Sequence, residues 1–181
     1  RLVLLCLAPG LHGANRCGRP FTGDFAGLLL YETLFELGLA TRSTSVAVDD
    51  GLELQGVRIT NAVKCVPPQN KPTPAEIRSC NGYLATELGV LGSVRTILAL
   101  GRVAHDSVLM ALGMSRTANA FAHGAVHELS NGSGSSARTL IDSYHCSRYN
   151  TQTRRLTTTM FRDVMRVAAG RAGLSPTGRP S

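Results

Sequence analysis

The sequence predicts an α/β sandwich built on a mostly parallel sheet, and two patterns support that prediction. Short runs rich in valine, isoleucine and leucine alternate with longer helical stretches along the 181 residues, which is typical of layered α/β folds. The short runs are almost continuously apolar, as expected of strands that are buried on both faces of a parallel sheet. In such folds ligands bind outside the carboxyl ends of the strands.

The element boundaries follow from apolar periodicity and from helix-stop signals. Gly38 and Gly170 stand where two of the helices should end. The segment at 131–136 reads NGSGSS and predicts a flexible turn. We expect one domain over residues 1–174 and a disordered tail at 175–181. The predicted strands are 1–8, 56–63, 94–100, 124–129 and 138–144, and the predicted helices are 25–37, 74–88, 102–112 and 156–169.

Composition narrows the class of protein. Hydrophobic residues make up 43% of the chain and charged residues 17%, which is an ordinary globular balance. No apolar run approaches the roughly 18 residues that span a membrane, and no signal-peptide cleavage site follows the apolar start. We therefore expect a cytosolic protein, and we interpret the abrupt start in a strand as the interior of a longer one. Five cysteines without a secretion signal favour metal binding or burial over disulfides.

Positive charge is concentrated at the C-terminal end. The formal net charge is +7, and from Arg138 onward there are eight arginines and two acidic residues. This asymmetry favours a polyanionic partner, because each neutralised phosphate releases counterions. A solvated basic tail is an equally open interpretation.

A glycine-rich loop at 9–23 follows the first predicted strand. Residues 6–24 read CLAPGLHGANRCGRPFTGD, and the glycines allow a tight backbone path around a small ligand. Asp24 either caps the next helix, for about 1 kcal/mol, or presents a carboxylate to the cleft. Phe21 has charged or small neighbours, so it is less easily explained as core, and an aromatic ring at a cleft mouth can stack on a base.

A polar, basic loop at 145–155 follows the last predicted strand. Residues 145–157 read HCSRYNTQTRRLT, which offers hydroxyl, amide and guanidinium groups to phosphates and Tyr149 as a bulky wedge. His145 at the strand end is either structural or catalytic. Because both loops leave a strand at its carboxyl end, we expect them to face each other across one cleft.

These two segments resemble motifs one and two of the uracil-DNA glycosylase superfamily, in the version of family 5, the type-B enzymes. The resemblance extends from Leu2 to about Gly170. It implies a three-layer α/β/α sandwich with a central, mostly parallel four-stranded sheet. It also implies removal of uracil, and of other deaminated bases such as hypoxanthine, from double-stranded DNA. The protein would be a monomer in the cytoplasm of a bacterium or archaeon, associated with the nucleoid through DNA.

The resemblance also implies residue roles. The target nucleotide is extruded into a pocket, which the 7–13 backbone would line through Leu7, Ala8 and Gly10 while Phe21 stacks on the base. Asn61 would bond the Watson–Crick edge of the base. His145 would donate to the leaving base, and Asp24 would activate the attacking water. The segment that would enter the minor groove consists of Ser147, Arg148, Tyr149, Asn150, Thr151, Gln152 and Thr153.

Leu7 separates the branches of this superfamily. Other branches carry a carboxylate, Asn or Gln there to orient the water, so Leu7 favours the broad-specificity type-B enzymes over the uracil-specific family 4. Cys6 replaces a usual Gly and is expected to narrow the pocket, Cys17 replaces a usual Thr, and Arg154 replaces a usual Gly. A lesion-binding homologue without catalysis is the remaining alternative, against which the intact Asp24, Asn61 and His145 argue.

Cys65 and Cys80 flank a proline-rich segment. In related glycosylases two cysteines at about this spacing ligate a [4Fe–4S] cluster, which needs four thiolates. The resemblance implies that the other two come from a segment upstream of the first strand. His123 and His127 lie in or beside a predicted strand and are interpreted as structural, and His105 with Asp106 as a helix cap.

Overall fold

The computed structural model describes residues 1–10, 14–129 and 137–174. The turn expected at 131–136 and the tail expected at 175–181 lie outside the described residues. Part of the glycine-rich loop, residues 11–13, does as well.

Four parallel strands form the centre of the molecule. They are β1 (Leu2–Cys6), β2 (Val57–Asn61), β3 (Thr96–Leu100) and β5 (Arg138–Ser143), and β4 (Val126–Leu129) completes the sheet in the order β2-β1-β3-β5-β4. Every residue of β1 and β3 is buried. The continuous apolar runs were therefore a correct signal of strands covered on both faces.

The sheet has five strands, one more than the four-stranded sheet that the resemblance implied. β4 pairs antiparallel with β5, from Val126 opposite Ile141 to Leu129 opposite Arg138. The connection between them is shorter than the crossover of roughly a dozen residues that a parallel pair requires. β4 therefore folds back as a partly exposed edge strand, and the four parallel strands remain the core of the predicted fold.

The four long predicted helices are confirmed with shifts of one or two residues at their ends. α6 begins at Thr158 instead of Leu156, because the hydroxyl of Thr157 accepts from the amide of Met160 and caps the helix. Two single-turn helices lie within the segments expected to be loops. The helices are α1 (Ala14–Cys17), α2 (Phe25–Glu36), α3 (Pro74–Val90), α4 (Arg102–Ala111), α5 (Arg148–Gln152) and α6 (Thr158–Arg171), with a 3₁₀ turn at Pro68–Asn70.

Two apolar layers make this a three-layer sandwich. Alternate residues of β1 point to opposite faces: Leu2 and Leu4 pack with α2 and α6, whereas Val3 and Leu5 pack with α3 and α4. The predicted α/β/α architecture is therefore confirmed. Across the described ranges, no helix is long and apolar enough to cross a membrane.

Candidate active site

A cavity of about 340 Å³ lies at the carboxyl edge of the parallel strands, within the roughly 300–1,000 Å³ typical of small-molecule sites. Both motif loops contribute to it, so the predicted cleft between them is confirmed. The residues that line it are Leu7, Ala8, Pro9, Gly10, Ala14, Pro20, Phe21, Asp24, Asn61, Leu100, Gly101, Arg102, Val103, Ala104, His145 and Ser147.

One wall of this cavity was missed by sequence reasoning. The segment Leu100–Ala104 joins β3 to α4, and Gly101 takes a positive φ of 102° at the turn, a conformation that glycine adopts readily. The signal was present, because Gly101 directly follows the predicted strand 94–100, and ligands bind outside the carboxyl ends of such strands. It was not used for this strand.

Phe21 lines the cavity and is also part of the core. The residue is only 8% exposed and packs in the same apolar cluster as Leu4 and Leu30, so the expectation that it lies outside the core was wrong. The ring centroid lies 6.0 Å from that of His145. Its φ of 64° is a left-handed conformation that costs a non-glycine residue about 1–2 kcal/mol.

Close contact with α2 holds that conformation. A Cβ on Gly27 would lie 2.1 Å from the Phe21 carbonyl oxygen, so a glycine is required where the loop meets the helix. The Tyr31 hydroxyl donates to the Pro20 carbonyl at 2.6 Å, and the Thr22 hydroxyl lies 2.7 Å from that of Ser45. The loop therefore packs directly on the first turns of α2.

Arg19 fastens the same loop to the segment at 45–50. Its guanidinium donates to the Ser45 hydroxyl, to two backbone carbonyls and, at 2.6 Å, to the Asp50 carboxylate. Burial favours a raised pKa for Asp50, but hydrogen bonds from Arg19 and from the amides of Leu52, Val46 and Ala47 outweigh it and lower that pKa well below its usual range. Sequence reasoning singled out neither Arg19 nor Asp50, because their contact spans 31 residues.

Asp24 occupies the N-cap position of α2, yet its side chain makes no capping hydrogen bond. The residue lines the cavity instead. Within the described ranges the carboxylate has no hydrogen-bond or ion-pair partner. The geometry therefore favours the second of the two sequence interpretations, a carboxylate presented to the cleft.

His145 and Asn61 lie on the other sides of the cavity. Burial lowers the pKa of His145, and the nearby charge of Asp24 opposes this only in part, so the imidazole is neutral at neutral pH. Asn61 ends β2 opposite Cys6 and is 9% exposed. No hydrogen-bond partner for its side-chain amide is found in the described part of the chain.

The second motif forms a helical turn, α5, where a loop was expected. The Ser147 hydroxyl accepts from the Asn150 amide, and the side chain of Asn150 donates to the His145 carbonyl at 2.8 Å. Thr151 and Thr153 donate to backbone carbonyls of the same turn. Their side-chain hydrogen bonds therefore fix the turn behind His145.

The outer face of the turn is open. Tyr149 is 70% exposed, and Arg148 and Gln152 are exposed as well. Apart from Ser147, none of the seven residues expected to contact DNA lines the cavity.

The arginines of the second motif have no acidic partners among the described residues. The Arg148 guanidinium stacks on Phe25 at 4.7 Å and that of Arg155 on Tyr144 at 4.6 Å. By contrast Arg162, Arg166 and Arg171 are ion-paired with carboxylates. Among the described arginines from 148 to 171, those without an acidic partner therefore belong to the second motif, which follows the cavity-lining His145. Arg154 has a φ of 57°, which explains why a glycine is usual there.

Two of the five cysteines lie in the apolar core. Cys6 and Cys146 are buried, and burial raises the pKa of Cys146 to about 12 and that of Cys6 well above its usual value. Cys6 does not line the cavity, so the expectation that it narrows the pocket was wrong: its side chain points into the apolar core.

Cys65 is exposed and Cys80 half-buried, and both are free thiols. Where the chain is described, no group of three potential ligands includes a cysteine. The described residues therefore supply at most half of the ligand set of a four-thiolate cluster.

His105 does not cap a helix, contrary to expectation. The cap position of α4 is Gly101, and His105 lies buried one turn further on, bonded to Asp142. Its partner sits on a strand 37 residues away, which local sequence signals do not reveal.

These features place the chain among α/β enzymes whose active site lies at the carboxyl edge of a parallel sheet. The model of the uracil DNA glycosylase superfamily matches residues 1–169. The chain therefore belongs to the uracil DNA glycosylase superfamily, and the resemblance drawn from its two motifs is confirmed.

Three similar proteins belong to the same branch of the superfamily, the type-5 enzymes. The type-5 uracil-DNA glycosylase of Thermus thermophilus is 49% identical over 96% of this chain and 77% of its own length. That of Pyrobaculum aerophilum is 43% identical over 96% of this chain and 73% of its own length. That of Mycobacterium bovis is 44% identical over 96% of this chain and 64% of its own length.

We predict that Gly27→Ala destabilises the protein by about 2 kcal/mol, because the new methyl group would overlap the Phe21 carbonyl. Gly82→Ala is the matched control: it lies within α3 with nothing within 4 Å of the added carbon. That variant should be stabilised by about 0.5–1 kcal/mol. Urea unfolding measures both, and equal stabilities of the two variants would contradict the proposed contact.

Proposed function

We propose that this chain is a DNA-repair glycosylase. It hydrolyses the N-glycosidic bond of uracil, and of other deaminated bases such as hypoxanthine, in double-stranded DNA and leaves an abasic site. The observation that carries the proposal is that a carboxylate, Asp24, with no partner among the described residues, and a neutral imidazole, His145, line the same cavity. The family of the chain supports it.

The cavity suits an extruded base. Chemistry at the glycosidic carbon requires the nucleotide to leave the base stack. Phe21 offers a ring for stacking. The side-chain amide of Asn61, which has no partner in the described part of the chain, offers both a donor and an acceptor to the edge of the base. The backbone of Leu7, Ala8 and Gly10 closes the inner wall.

Bond cleavage is divided between the two ionisable groups. The bond between the sugar carbon and the base nitrogen breaks, and the base leaves with the bonding electrons while His145 donates a hydrogen bond to the charge that develops. Asp24 stabilises the oxocarbenium-like sugar and accepts a proton from the water that attacks it. Because burial lowers the pKa of His145, the imidazole remains neutral as the pH falls through the range in which an ordinary histidine becomes protonated.

Leu7 favours a broad substrate range. Its apolar side chain lines the cavity but cannot orient water. Asp24 is the only acidic residue in the described lining, so one carboxylate must position the water for every base. A pocket that relies on stacking and on few polar contacts discriminates weakly between bases.

Duplex DNA would lie across the second motif. Arg148 and Arg155 have no acidic partner in the described structure, and their stacking on Phe25 and Tyr144 fixes their positions beside the cavity. The exposed ring of Tyr149 is placed to fill the gap left by the extruded nucleotide. A monomeric, cytoplasmic protein remains our expectation.

Asp24→Asn tests the chemistry. Asparagine keeps the capping preference but loses the charge, so we expect the single-turnover excision rate to fall by about two orders of magnitude. Labelled duplexes with uracil, hypoxanthine or ethenocytosine, treated with alkali after incubation, report abasic sites. Asp163→Asn is a control, since this carboxylate is exposed on α6.

The same assay separates the alternatives. Release of uracil alone would indicate a uracil-specific enzyme, as in family 4. Duplex binding without release of any base would indicate a lesion-binding homologue, and the proposed activity would be wrong. An Asp24→Asn variant with the normal rate would leave the proposed activity standing but would contradict the catalytic role of this carboxylate.

We predict that Arg148→Ala combined with Arg155→Ala weakens duplex binding regardless of sequence. The slope of log affinity against log salt concentration should become shallower by about two, because two phosphate contacts are lost. The matched control is Arg166→Ala combined with Arg171→Ala, because both of these arginines are ion-paired. Fluorescence anisotropy at several salt concentrations measures the effect. Equal losses in the two double variants would show that only net charge matters.

Cys65 and Cys80 are proposed ligands of a [4Fe–4S] cluster, supported by the exposure of Cys65, the partial exposure of Cys80 and their free thiols. No step of the reaction passes through the cluster. We predict that this 181-residue chain binds it poorly, because the described residues supply only two suitable thiolates. Iron and sulfide analysis decides this: a stoichiometric four-iron cluster would mean that Cys6, Cys17 or Cys146 also supply ligands.

A further inference from the structure

Three polar side chains, two of them buried and one partly exposed, meet behind the cavity on three different elements. His105 of α4 and His127 of β4 both contact the carboxylate of Asp142 on β5, at 2.7 and 2.9 Å. His105 is 1% exposed and Asp142 is fully buried. None of the three lines the cavity, and the mechanism above does not use them.

The hydrogen bonds around His105 require one proton more than a neutral imidazole beside a carboxylate carries. Its Nδ1 faces a carboxylate oxygen of Asp142, and its Nε2 faces the backbone carbonyl of Asn119 at 2.9 Å. Both neighbours are acceptors, but a neutral imidazole carries one N–H only. The second carboxylate oxygen already receives His127 and the amide of Ala122. The His105–Asp142 pair therefore holds a proton that a neutral histidine beside a carboxylate would lack.

We propose that His105 is a positioning residue for base excision: in its doubly protonated form it ties the segment 119–125 to β5 and so fixes Tyr144 and His145 at the cavity. The proposal rests on the proposed function for its effect on rate. The protonation state of His105 stands independently of it.

Residues 122–125 of this segment are bonded to the end of β5 and to Tyr144 directly after it. The amide of Gly124 donates to the Asp142 carbonyl at 2.8 Å, and the Asp142 amide donates to Ala125 at 3.0 Å. The amide of Tyr144 donates to the ring of His123 at 3.1 Å, and the two rings stack with centroids 5.0 Å apart. The residue that precedes His145 is thus held by this segment.

The same contacts reach two arginines at the mouth. The Phe121 ring lies edge-on to His105 at 5.6 Å and 6.2 Å from Tyr144. Arg102, which lines the cavity, stacks on Phe121 at 5.4 Å, and Arg155 stacks on Tyr144. Loss of the contact between His105 and the Asn119 carbonyl would therefore release Phe121. The side chains that pack on its ring, those of Arg102 and Tyr144, would lose that support.

The charged and titratable groups around His105 come from each element packed against it. They are Asp106 of its own helix, His127 of β4 and Asp142 of β5, and Arg102 contacts the same Phe121 ring. Burial acts to lower the pKa of His105, but the hydrogen bond and charge of Asp142 outweigh it, with smaller contributions from Asn119 and Asp106, and raise the pKa above its ordinary value. The contribution of protonated His105 to the stability of the fold is therefore complete below about pH 6.5. It is lost as the pH rises through the raised pKa of His105.

Nitrogen-15 NMR of the histidine rings in the full chain tests the protonation state directly. We expect both ring nitrogens of His105 to carry protons at pH 7, and this signal to titrate above the ordinary range. A singly protonated, neutral His105 at pH 7 would overturn the proposal. So would a stoichiometric divalent metal in the purified protein that is lost in His127→Gln, since a cation would then occupy the place of the proton.

Single-turnover excision of uracil between pH 6 and 9 tests the consequence. The wild-type rate should fall about tenfold or more as His105 deprotonates, with an unchanged far-UV circular dichroism spectrum. His105→Gln should have the reduced rate throughout and lack this pH step, whereas Asp106→Asn should retain it. A His105→Gln variant with the wild-type rate and profile would overturn the proposal. An inactive wild-type enzyme would refute the proposed function and leave the NMR result to decide the state of His105.

Discussion

The parallel pairing of four strands in one register is the constraint on which the site depends. Cys6 pairs with Asn61 and Leu100 pairs with Ser143, so the chain leaves each strand at the same edge of the sheet. Leu7, Gly101 and His145 follow those strand ends directly or within two residues. A slip of one residue in β2 would turn Asn61 to the opposite face. The site is thus assembled by backbone hydrogen bonds between apolar strands that carry little chemistry themselves.

A second level of structure converts this edge into a cavity. The glycine-rich loop takes a strained path at Phe21, and the contact with Gly27 and the bonds of Arg19 keep it there. Strain of this kind persists where the surroundings over-determine the conformation. The second motif is held differently, by a short helical turn whose own side chains are bonded inward. Among the described residues, neither of the reactive groups, Asp24 and His145, has a side-chain hydrogen bond that would compete with substrate.

The sequence predicted what is encoded locally. Apolar runs located all five strands and periodicity located the four long helices, because burial and helix caps act over a few residues. The resemblance assigned Asp24, Asn61 and His145 to one site, and all three line one cavity; their roles stay predictions. Contacts distant in sequence were missed: the Arg19–Asp50 pair, the His105–Asp142 pair and the wall at Leu100–Ala104. Cys6 was misplaced because its position in the last part of a strand buried on both faces does not tell which face the side chain takes.

The central claim is that an extruded base lies in the cavity between Phe21 and His145. A crystal structure of the Asp24→Asn variant bound to a uracil-containing duplex tests it most directly. The account predicts uracil stacked against Phe21, its edge bonded by the Asn61 amide, and the backbone of the duplex beside Arg148 and Arg155. A uracil that remains stacked in the duplex, or one bound elsewhere on the protein, would contradict it.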